Sequence, residues 1–364
     1  MSAPRAMIHV QHLLGIGHLR RAAPIAAAHA AEGCAATLVS GGPAVDVIAP
    51  GAAALRQLPP LRAGDGFSDL RDDRGRPIDD AFRRARRDAL LALYRELDPD
   101  ILITELFPFG RRQMRFELLP LLEAARSAAR PPVIAASVRD ILQRRSPSRT
   151  AEALAWFDRY YDRLLVHADP ELVRLEASVP AAAGIGDRIH YTGYVVDGGG
   201  AATAREGEAA EGAVVVSAGG GAVGSALLAA ALAARADTIH RRRPWLVLAG
   251  EGVARCRLEA LRERAPAGVR VERSRADFTA LLRGAALSVS QCGYNTLLEV
   301  AAAGTRAVVV PFAGDGETEQ TTRARLWAAR GALTLVAERD LTPAALAAAI
   351  DRAAAGPVLD AAGV

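Results

Sequence analysis

Short apolar runs rich in Val, Ile and Leu alternate with longer amphipathic or Ala-rich runs along nearly the whole chain. The short runs include "MIHVQHLL", "AATLVSGG", "DILITELF", "AVVVSAGG", "PWLVLAG" and "AVVVPF". β-Branched residues favour strands, and strands that alternate with helical stretches are typical of parallel sheets with helices on both faces. The pattern therefore predicts an α/β protein made of doubly wound parallel sheets.

The stretch "VVDGGGAATAREGEAAEG" interrupts this alternation near the middle of the chain. It is rich in Gly, Ala and Glu and has no hydrophobic period, which is typical of a linker. A chain of 364 residues is also too long for one ordinary core. We predict an N-terminal Rossmann-like domain over 1–196, a linker over 197–212 and a C-terminal domain over 213–364.

Polar residues that directly follow a predicted strand are the first candidates for a binding site. Ligands of open parallel sheets bind outside the carboxyl ends of the strands. This criterion selects Gly15, Gly17, His18, residues 40–42, Glu105, Arg139, Asp140, His167, residues 217–221, Glu251, residues 290–296 and residues 315–320.

The stretch "SAGGGAVGSALL" follows a strand and begins a helix. Ser217, Gly219, Gly220 and Gly221 would let the backbone approach a diphosphate, which the free N–H groups of a helix N-terminus attract. The stretch also satisfies GxGxxG, so a dinucleotide site is an alternative, although the acidic residue expected about 20 positions later is missing. A tight turn without any ligand is a further alternative.

The stretch "LLGIGHLRRA" is the counterpart in the N-terminal half. It places Gly15 and Gly17 before a helix whose first turn carries His18, Arg20 and Arg21. The positive end of a helix discourages protonation of a histidine, which suits a general base. Charged groups at this end also suggest a bound anion. The alternative is a helix-entry histidine that only bonds to backbone.

The polar stretch "SQCGYNTLLE" begins another helix. Gly293, Asn295 and Thr296 can bind phosphate or cap the helix, and Glu299 can accept from the vicinal hydroxyls of a ribose. Cys292 has no neighbouring His and is interpreted as a packed residue.

At the head of the following helix, Glu319 and Gln320 suit hydrogen bonds to a sugar. Asp315 and Glu317 could instead bind a metal ion, but their Gly-rich loop lacks fixed geometry, so no metal site is predicted.

Composition narrows the range of partners and compartments. The net charge is +4 and all 45 basic residues are Arg, a balance too mild to indicate nucleic acid. Arg clusters at 82–96 and 110–115 are interpreted as solvated helix faces, with peripheral contact to an anionic membrane left as the alternative. Three cysteines without a CxxC pair, and a start that lacks a signal-peptide pattern, favour a reduced cytosolic protein.

The uncharged stretch 213–234 is long enough to cross a bilayer. Its three consecutive glycines divide it, and the β-branched half before them differs from the Ala/Leu half after them. We therefore predict strand, loop and helix here.

Together, "GIGHLRR", "SAGGGAVGSALL", "SQCGYNTLLEVAAAGTRAVVVPF" and "ETEQTTRARLW" resemble the GT-B nucleotide-sugar glycosyltransferases, above all the MurG-like enzymes of glycosyltransferase family 28. The resemblance is strongest over 213–336. It implies two Rossmann-like domains that face each other across a cleft, with the nucleotide-sugar donor bound by the C-terminal domain. It also implies inversion at the sugar carbon, usually without an obligatory metal ion, and no cofactor is expected.

The resemblance implies roles for single residues. Gly219 to Gly221 and the turn at Gly293 would hold the diphosphate, Glu299 the ribose, and Glu319 with Gln320 the donor sugar. The segment "SRADFTALL" would meet the nucleobase, with Phe278 as a wall. The N-terminal glycine loop is shorter than in MurG, so the lipid-linked acceptor is not carried over.

We predict an inverting glycosyltransferase that uses a UDP-sugar and an unidentified acceptor, with His18 as base or diphosphate ligand and Glu105 as second candidate base. Gly15, Gly17, Arg21 and Arg139 would lie on the acceptor or phosphate side.

Three alternatives remain open at this point. "GxGHxxR" also resembles the nucleotide-sugar hydrolase of pseudaminic acid synthesis, so a hydrolase or epimerase fits the same donor site. A sugar-nucleotide sensor and a nicotinamide-dependent dehydrogenase are the other two. Oligomeric state is undetermined.

Overall fold

A computed structural model of the chain describes residues 3–13, 15–45, 48, 50–64, 69–196, 211–219, 223–275 and 277–358. The chain divides into two compact units. The first comprises Met1–Pro170 and Arg174–Asp197, and the second comprises Glu171–Val173 and Gly198–Val364. Most of the predicted linker, 197–210, lies outside the described residues.

The first unit is built on a seven-stranded parallel sheet. Its strands are β1 (Arg5–Val10), β2 (Ala35–Ser40), β3 (Ala54–Gln57), β6 (Ile101–Glu105), β7 (Val133–Arg139), β8 (Arg163–His167) and β9 (Ile189–Tyr191). A separate antiparallel pair consists of β4 (Arg62–Ala63) and β5 (Leu70–Arg71). The order across the large sheet is β3-β2-β1-β6-β7-β8-β9, so the direction of winding reverses between β1 and β6.

Helices cover both faces of this sheet. They are α1 (Gly17–Ala31), α2 (Asp80–Leu97), α3 (Arg115–Arg126) and α4 (Pro147–Tyr160). Successive strand residues point to opposite faces. Met7 and its register partner Leu102 therefore pack into the core that also holds residues of α2, α3 and α4, whereas Ile8 and Ile103 pack into the core on the side of α1.

The second unit repeats the plan with a six-stranded parallel sheet. Its strands are β10 (Val214–Ser217), β11 (Trp245–Ala249), β12 (Val269–Arg273), β13 (Leu287–Ser290), β14 (Ala307–Val309) and β15 (Thr334–Leu335). Its helices are α5 (Ser225–Ala234), α6 (Arg255–Glu263), α7 (Phe278–Gly284), α8 (Tyr294–Ala302), α9 (Glu319–Ala329) and α10 (Pro343–Ala354). The order β12-β11-β10-β13-β14-β15 reverses between β10 and β13.

The predicted α/β class with two doubly wound parallel sheets is confirmed. The uncharged stretch 213–234 contains strand β10 and helix α5, as predicted. Among the described residues, no helix combines the length and the apolar composition that crossing a membrane requires.

Candidate active site

His18 and Glu105 meet at the reversal point of the first sheet. Strand β1 leads into helix α1, whose second residue is His18, and Glu105 is the last residue of the neighbouring strand β6. His18 Nδ1 lies 2.9 Å from Glu105 Oε1. Two residues that are far apart in the sequence thus form a pair where a doubly wound sheet places its ligands.

Arg21 joins this pair from the next turn of α1. Its Nη2 donates a hydrogen bond to Glu105 Oε1 and lies 3.4 Å from His18 Nδ1. Arg21 and Glu105 are each 2% exposed. The other carboxylate oxygen, Glu105 Oε2, is buried and has no hydrogen-bond partner among the described residues. The predicted charge compensation at this helix start is supplied at least in part by the protein's own Glu105.

The electrostatics of the pair make His18 neutral and Glu105 charged. Burial lowers the pKa of His18 below its usual range, and this effect outweighs the opposing effect of Glu105. Burial by itself would raise the pKa of Glu105, but His18, Arg21 and Arg111 hold it well below its usual range. An ionised carboxylate only accepts hydrogen bonds, so His18 Nδ1 must donate and Nε2 carries the lone pair.

The segment after β6 carries a further functional candidate, Arg111, which the sequence pattern did not single out. Leu106 has φ 66° and Arg111 has φ 55°, values that cost free energy in residues other than glycine. Arg111 Nε donates to the carbonyl of Gln11 at 2.9 Å, which connects the segment to the end of β1. The signal in the sequence was an arginine shortly after a strand end, but it stood inside a cluster interpreted as solvated.

Arg111 lies among other cations. Burial, which leaves Arg111 8% exposed, is the largest cause that lowers its pKa to about 10. Glu105 opposes this effect, while Arg139, Arg21 and Arg145 add to it. The region around Glu105 therefore concentrates positive charge within the first unit.

The interpretation of the Arg clusters as solvated faces is wrong for Arg86 as well as for Arg111. Arg86 is fully buried in α2 and forms an ion pair with Glu117 of α3, with 2.6 Å between Nε and Oε2. Its Nη2 donates to Gln11 Oε1 at 2.6 Å, and its Nη1 donates to Gly41 O at 2.9 Å. Helix propensity and spacing could not reveal this role, because the partners come from three other segments.

The other predicted residues of the first unit lie near the same sheet edge. Gly15 precedes α1, and apart from Gly15 itself and its chain neighbours no heavy atom of the described residues lies within 4 Å of the position that a Cβ on it would take. Gly17 is the first residue of α1. Arg139 is the last residue of β7 and is half-buried. His167 hydrogen-bonds through both ring nitrogens, to Ser137 at 2.8 Å and Thr192 at 2.7 Å. These bonds indicate a structural role for His167.

The reversal point of the second sheet brings together two of the predicted donor stretches. Ser217 of β10 is the register partner of Ser290 of β13. Ser217 Oγ accepts from Gly219 N at 3.1 Å, and Gly219 has φ 72°. A Cβ on Gly219 would lie 3.7 Å from Thr296 Oγ1, so the loop after β10 lies next to the start of α8. Gly220 and Gly221 lie outside the described residues.

Helix α8 begins after Gly293, which is its N-cap. Apart from Gly293 itself and the backbone next to it in the chain, no heavy atom of the described residues lies within 4 Å of the position that a Cβ on Gly293 would take. Asn295 and Thr296 in the first turn are half-buried, and Glu299, one turn further, is 7% exposed. Backbone N–H groups at such a start attract anions.

Gln320 and Glu319 are both involved in contacts with the protein. Gln320 Oε1 accepts from Cys292 N at 3.0 Å and from Phe312 N at 3.2 Å, which joins the segments after β13 and β14. Glu319 is 4% exposed, and its Oε1 lies 2.9 Å from Arg323 Nη2. Arg323 Nη1 in turn donates to the carbonyl of Cys292 at 2.9 Å.

Two further residues of the second unit are buried. Cys292 is 0% exposed, as expected for a packed residue. Phe278, the predicted wall for a nucleobase, begins α7 and is 7% exposed. Within the part of the chain that the structure describes, no group of three or more His, Cys, Asp or Glu is placed to hold a metal ion.

Part of the second unit is similar to a known protein family. Residues 269–358 match the model of the glycosyltransferase family 28 C-terminal domain. A curated relative is the UDP-N-acetylglucosamine--N-acetylmuramyl-(pentapeptide) pyrophosphoryl-undecaprenol N-acetylglucosamine transferase of Ralstonia nicotianae. It is 44% identical over 71 residues, which span 20% of this chain and 20% of that protein.

Two solved structures resemble the chain over nearly its whole length. The MurG structure of Acinetobacter baumannii has a TM-score of 0.58 at 16% identity, and the match covers 95% of this chain and 89% of the MurG chain. The structure of LpCGTa in complex with UDP has a TM-score of 0.63 at 18% identity, and the match covers 99% of this chain and 92% of the LpCGTa chain. The resemblance drawn from the motifs is thereby confirmed: the chain has the GT-B fold, and residues 269–358 of its second unit are similar to the glycosyltransferase family 28 C-terminal domain.

Proposed function

We propose that the protein is an inverting glycosyltransferase that moves a sugar from a nucleotide-diphosphate donor, preferentially a UDP-sugar, to an acceptor hydroxyl. The observation that carries this proposal is the pair His18–Glu105, with 2.9 Å between Nδ1 and Oε1 and a neutral imidazole. A neutral histidine oriented by a carboxylate is equipped to take a proton from a hydroxyl.

In the proposed step, His18 Nε2 takes the proton of the acceptor hydroxyl. The oxygen forms a bond to the anomeric carbon of the donor sugar while the bond from that carbon to the diphosphate oxygen breaks. The bonding electrons leave with the nucleoside diphosphate, so the configuration of the sugar carbon is inverted. Glu105 holds the reactive tautomer and stabilises the imidazolium that forms. Because its pKa is lowered, we assign Glu105 this orienting role rather than that of the base.

The second unit would bind the donor. The N–H groups at the start of α8, together with those of Gly220 and Gly221, would stabilise the charge that develops on the departing diphosphate. The N–H of Gly219 already donates to Ser217 Oγ, so we assign Gly219 only the close approach of the backbone. Glu299 would accept from the ribose hydroxyls. Gln320 Oε1 is already engaged with two backbone amides, so we assign its amide N–H₂ to the donor sugar. Glu319 would accept a hydrogen bond from the donor sugar while it keeps its ion pair with Arg323.

Similar proteins support the choice of donor. The Ralstonia nicotianae relative is named for a UDP-linked sugar, and LpCGTa was solved with UDP. The match spans only 20% of the Ralstonia protein. The acceptor of that protein is therefore not assigned to this chain. The matching family model covers residues 269–358, which include α8 and α9.

The test is release of nucleotide from a panel of UDP-, GDP-, dTDP- and CMP-sugars, with and without cell extract as acceptor source. The variants are His18→Ala and Glu299→Ala, and exposed His190→Ala is the matched control. We expect acceptor-dependent release from UDP-sugars, a fall of about 100-fold or more in His18→Ala, weaker donor binding in Glu299→Ala and no change in His190→Ala. Wild-type rates in His18→Ala would contradict the proposed mechanism.

A nucleotide-sugar hydrolase is the second candidate, because the same His18–Glu105 pair could activate water instead of a hydroxyl. Release that is equally fast without any acceptor would favour the hydrolase.

A further inference from the structure

Gln11 directly follows β1 and is only 1% exposed. Its Nε2 donates to the carbonyls of His12 at 2.8 Å and Leu61 at 3.0 Å, and its Oε1 accepts from Arg86 Nη2 at 2.6 Å. A primary amide has two N–H donors, and both are engaged here. The side chain of Gln11 therefore fixes the start of the connection between β1 and α1.

Arg86 fixes the amide of Gln11 from helix α2. Arg86 is fully buried and forms an ion pair with Glu117 of α3, with 2.6 Å between Nε and Oε2. It also donates to the carbonyl of Gly41 at 2.9 Å and to the carbonyl of Pro59. A planar guanidinium with several partners has fixed donor directions. Arg86 therefore determines where Oε1 of Gln11 lies.

The backbone of Gln11 connects this network to the segment 106–111, which follows Glu105. Arg111 Nε donates to the carbonyl of Gln11 at 2.9 Å. Arg111 has φ 55° and Leu106 has φ 66°, and such conformations persist only where the surrounding structure holds them. Gln11 therefore supplies one of the contacts that hold this segment in its conformation.

The two segments that Gln11 joins carry the two members of the candidate catalytic pair. The chain leads from Gln11 into α1, whose second residue is His18, and the segment that Arg111 ends begins directly after Glu105. The 2.9 Å hydrogen bond between His18 Nδ1 and Glu105 Oε1 requires a fixed separation of these segments. A displacement of about 1 Å in an active site can lower a rate by about 100-fold.

We propose that Gln11 is a positioning residue. Held by Arg86, it joins the start of the β1–α1 connection to the segment after β6 and so keeps His18 and Glu105 within hydrogen-bond distance. The geometry of this pair does not depend on transferase activity and can be measured separately. The consequence for the reaction rate rests on the proposed function.

The first test is the tautomer of His18, measured by nitrogen NMR of the full chain with isotope-labelled histidine rings and assigned by its loss in His18→Ala. The proton of a neutral imidazole resides on the nitrogen whose hydrogen bond requires it. We expect the Nδ1–H tautomer at pH 7 in the wild type. In Gln11→Met, which has an apolar side chain of similar size, we expect this tautomer to be lost. An unchanged tautomer in folded Gln11→Met would overturn the proposal.

Gln57→Met is the matched control. Gln57 is the last residue of β3, at the same edge of the sheet, and its Nε2 donates to three backbone carbonyls, those of Ser40, Gly42 and Leu58. The same kind of side chain thus holds a neighbouring loop, but these carbonyls belong neither to the β1–α1 connection nor to the segment after β6. We expect Gln57→Met to keep the wild-type tautomer of His18. The same loss in both variants would overturn the proposal.

A second variant tests the role of Arg86 and does not depend on the folding of Gln11→Met. Arg86→Met/Glu117→Leu replaces both charges of the buried pair with apolar groups, which is often neutral for stability. Gln11 then keeps its bonds to His12 and Leu61 but loses the one from Arg86. We expect a partial loss of the Nδ1–H tautomer of the catalytic histidine. A complete wild-type tautomer in this variant would overturn the proposal.

Kinetics relate the geometry to the proposed function. In Gln11→Met we expect kcat for acceptor-dependent nucleotide release to fall by about 10-fold to 100-fold, with KM for the UDP-sugar within about twofold of wild type. In an Arg111→Met background the same substitution should lower kcat by less than about twofold further, because both residues act on one segment. Effects that multiply in full would overturn the route through Arg111.

The two readouts separate this proposal from the proposed function. If the tautomer of His18 were lost in Gln11→Met while the wild-type protein released nucleotide from no donor, the positioning role would stand and the transferase would fall. Wild-type kcat in Gln11→Met, with the transferase active, would refute the positioning role.

Discussion

The two units place different chemistry at the same point of the same topology. In both sheets the strand order reverses beside the first strand, between β1 and β6 and between β10 and β13. The reversal point of the first unit carries the titratable side chains His18, Glu105 and Arg21, whereas that of the second carries Ser217, Gly219 and the start of α8 at Gly293. Side chains that exchange protons are suited to take a proton from a reacting hydroxyl, whereas backbone N–H groups at a helix start are suited to bind a diphosphate. The fold supplies the position, and the local residues decide between chemistry and binding.

The largest expected effect comes from removing the charge that orients the base. In Glu105→Gln we expect nucleotide release to fall by about 100-fold to 10,000-fold, because His18 loses its carboxylate partner. UDP affinity should stay within about twofold, since the second unit is unchanged.

The same substitution removes the buried carboxylate that forms an ion pair with Arg21, so we expect it to lower the free energy of unfolding by roughly 3–5 kcal/mol. Release is therefore measured at a temperature where circular dichroism shows the variant folded, with Glu105→Asp as the variant that retains the charge. If folded Glu105→Gln released nucleotide at the wild-type rate, the first reversal point would not be the reacting one.

The next effect is a difference in acid stability between the units. Burial lowers the pKa of His9 and His167 to about 3 and that of His18 in the same direction. These histidines are neutral when folded and protonated when unfolded below about pH 6.5. Their contribution to stability is therefore fully present above about pH 6.5 and is lost as the pH falls, by about 1.4 kcal/mol per pH unit for each.

Hydrogen exchange at pH 7 and pH 5 would measure this difference. The raised pKa of Glu117 acts in the opposite direction, but it is one group against three. The second unit has only one histidine, His240. We expect peptides of β1, β6 and β8 to lose much more protection at pH 5 than peptides of β10 and β13. An equal loss in both units would show that these histidines are not buried neutral.

The smallest expected effect comes from a pair of glycines in the second unit. In Gly293→Ala we expect UDP affinity to fall by about tenfold with little change in melting temperature, because the site of its Cβ is open and its φ of −65° suits any residue. Gly224→Ala is the contrasting variant, because its φ is 95° and its Cβ would lie 2.7 Å from the Cβ of Ala218. There we expect a loss of roughly 1–3 kcal/mol in stability. Calorimetry and thermal unfolding of both variants measure these effects, and wild-type UDP affinity in Gly293→Ala would argue against a donor site at α8.

The strands and the positions of the candidate residues followed from the sequence, because both depend on which residues are neighbours along the chain. Buried parallel strands require continuous apolar runs such as "AVVVS" and "ILITE", and the chain direction then determines which residues stand at their carboxyl ends. That reasoning placed His18 after β1, Glu105 at the end of β6 and Gly293 after β13. The motifs also predicted the GT-B fold, since they preserve the local turns that a nucleotide site needs.

Only the tertiary structure decided which of these residues act on one another. The pairing of His18 with Glu105, the burial of Arg86 and Arg111 and the engagement of Gln320 Oε1 all join segments far apart in the chain. A pKa depends on burial and on nearby charges, and neither can be read from the identity or spacing of a residue. The sequence by itself therefore determined the architecture and the candidate residues, and three-dimensional packing determined the protonation states and the partners of those residues.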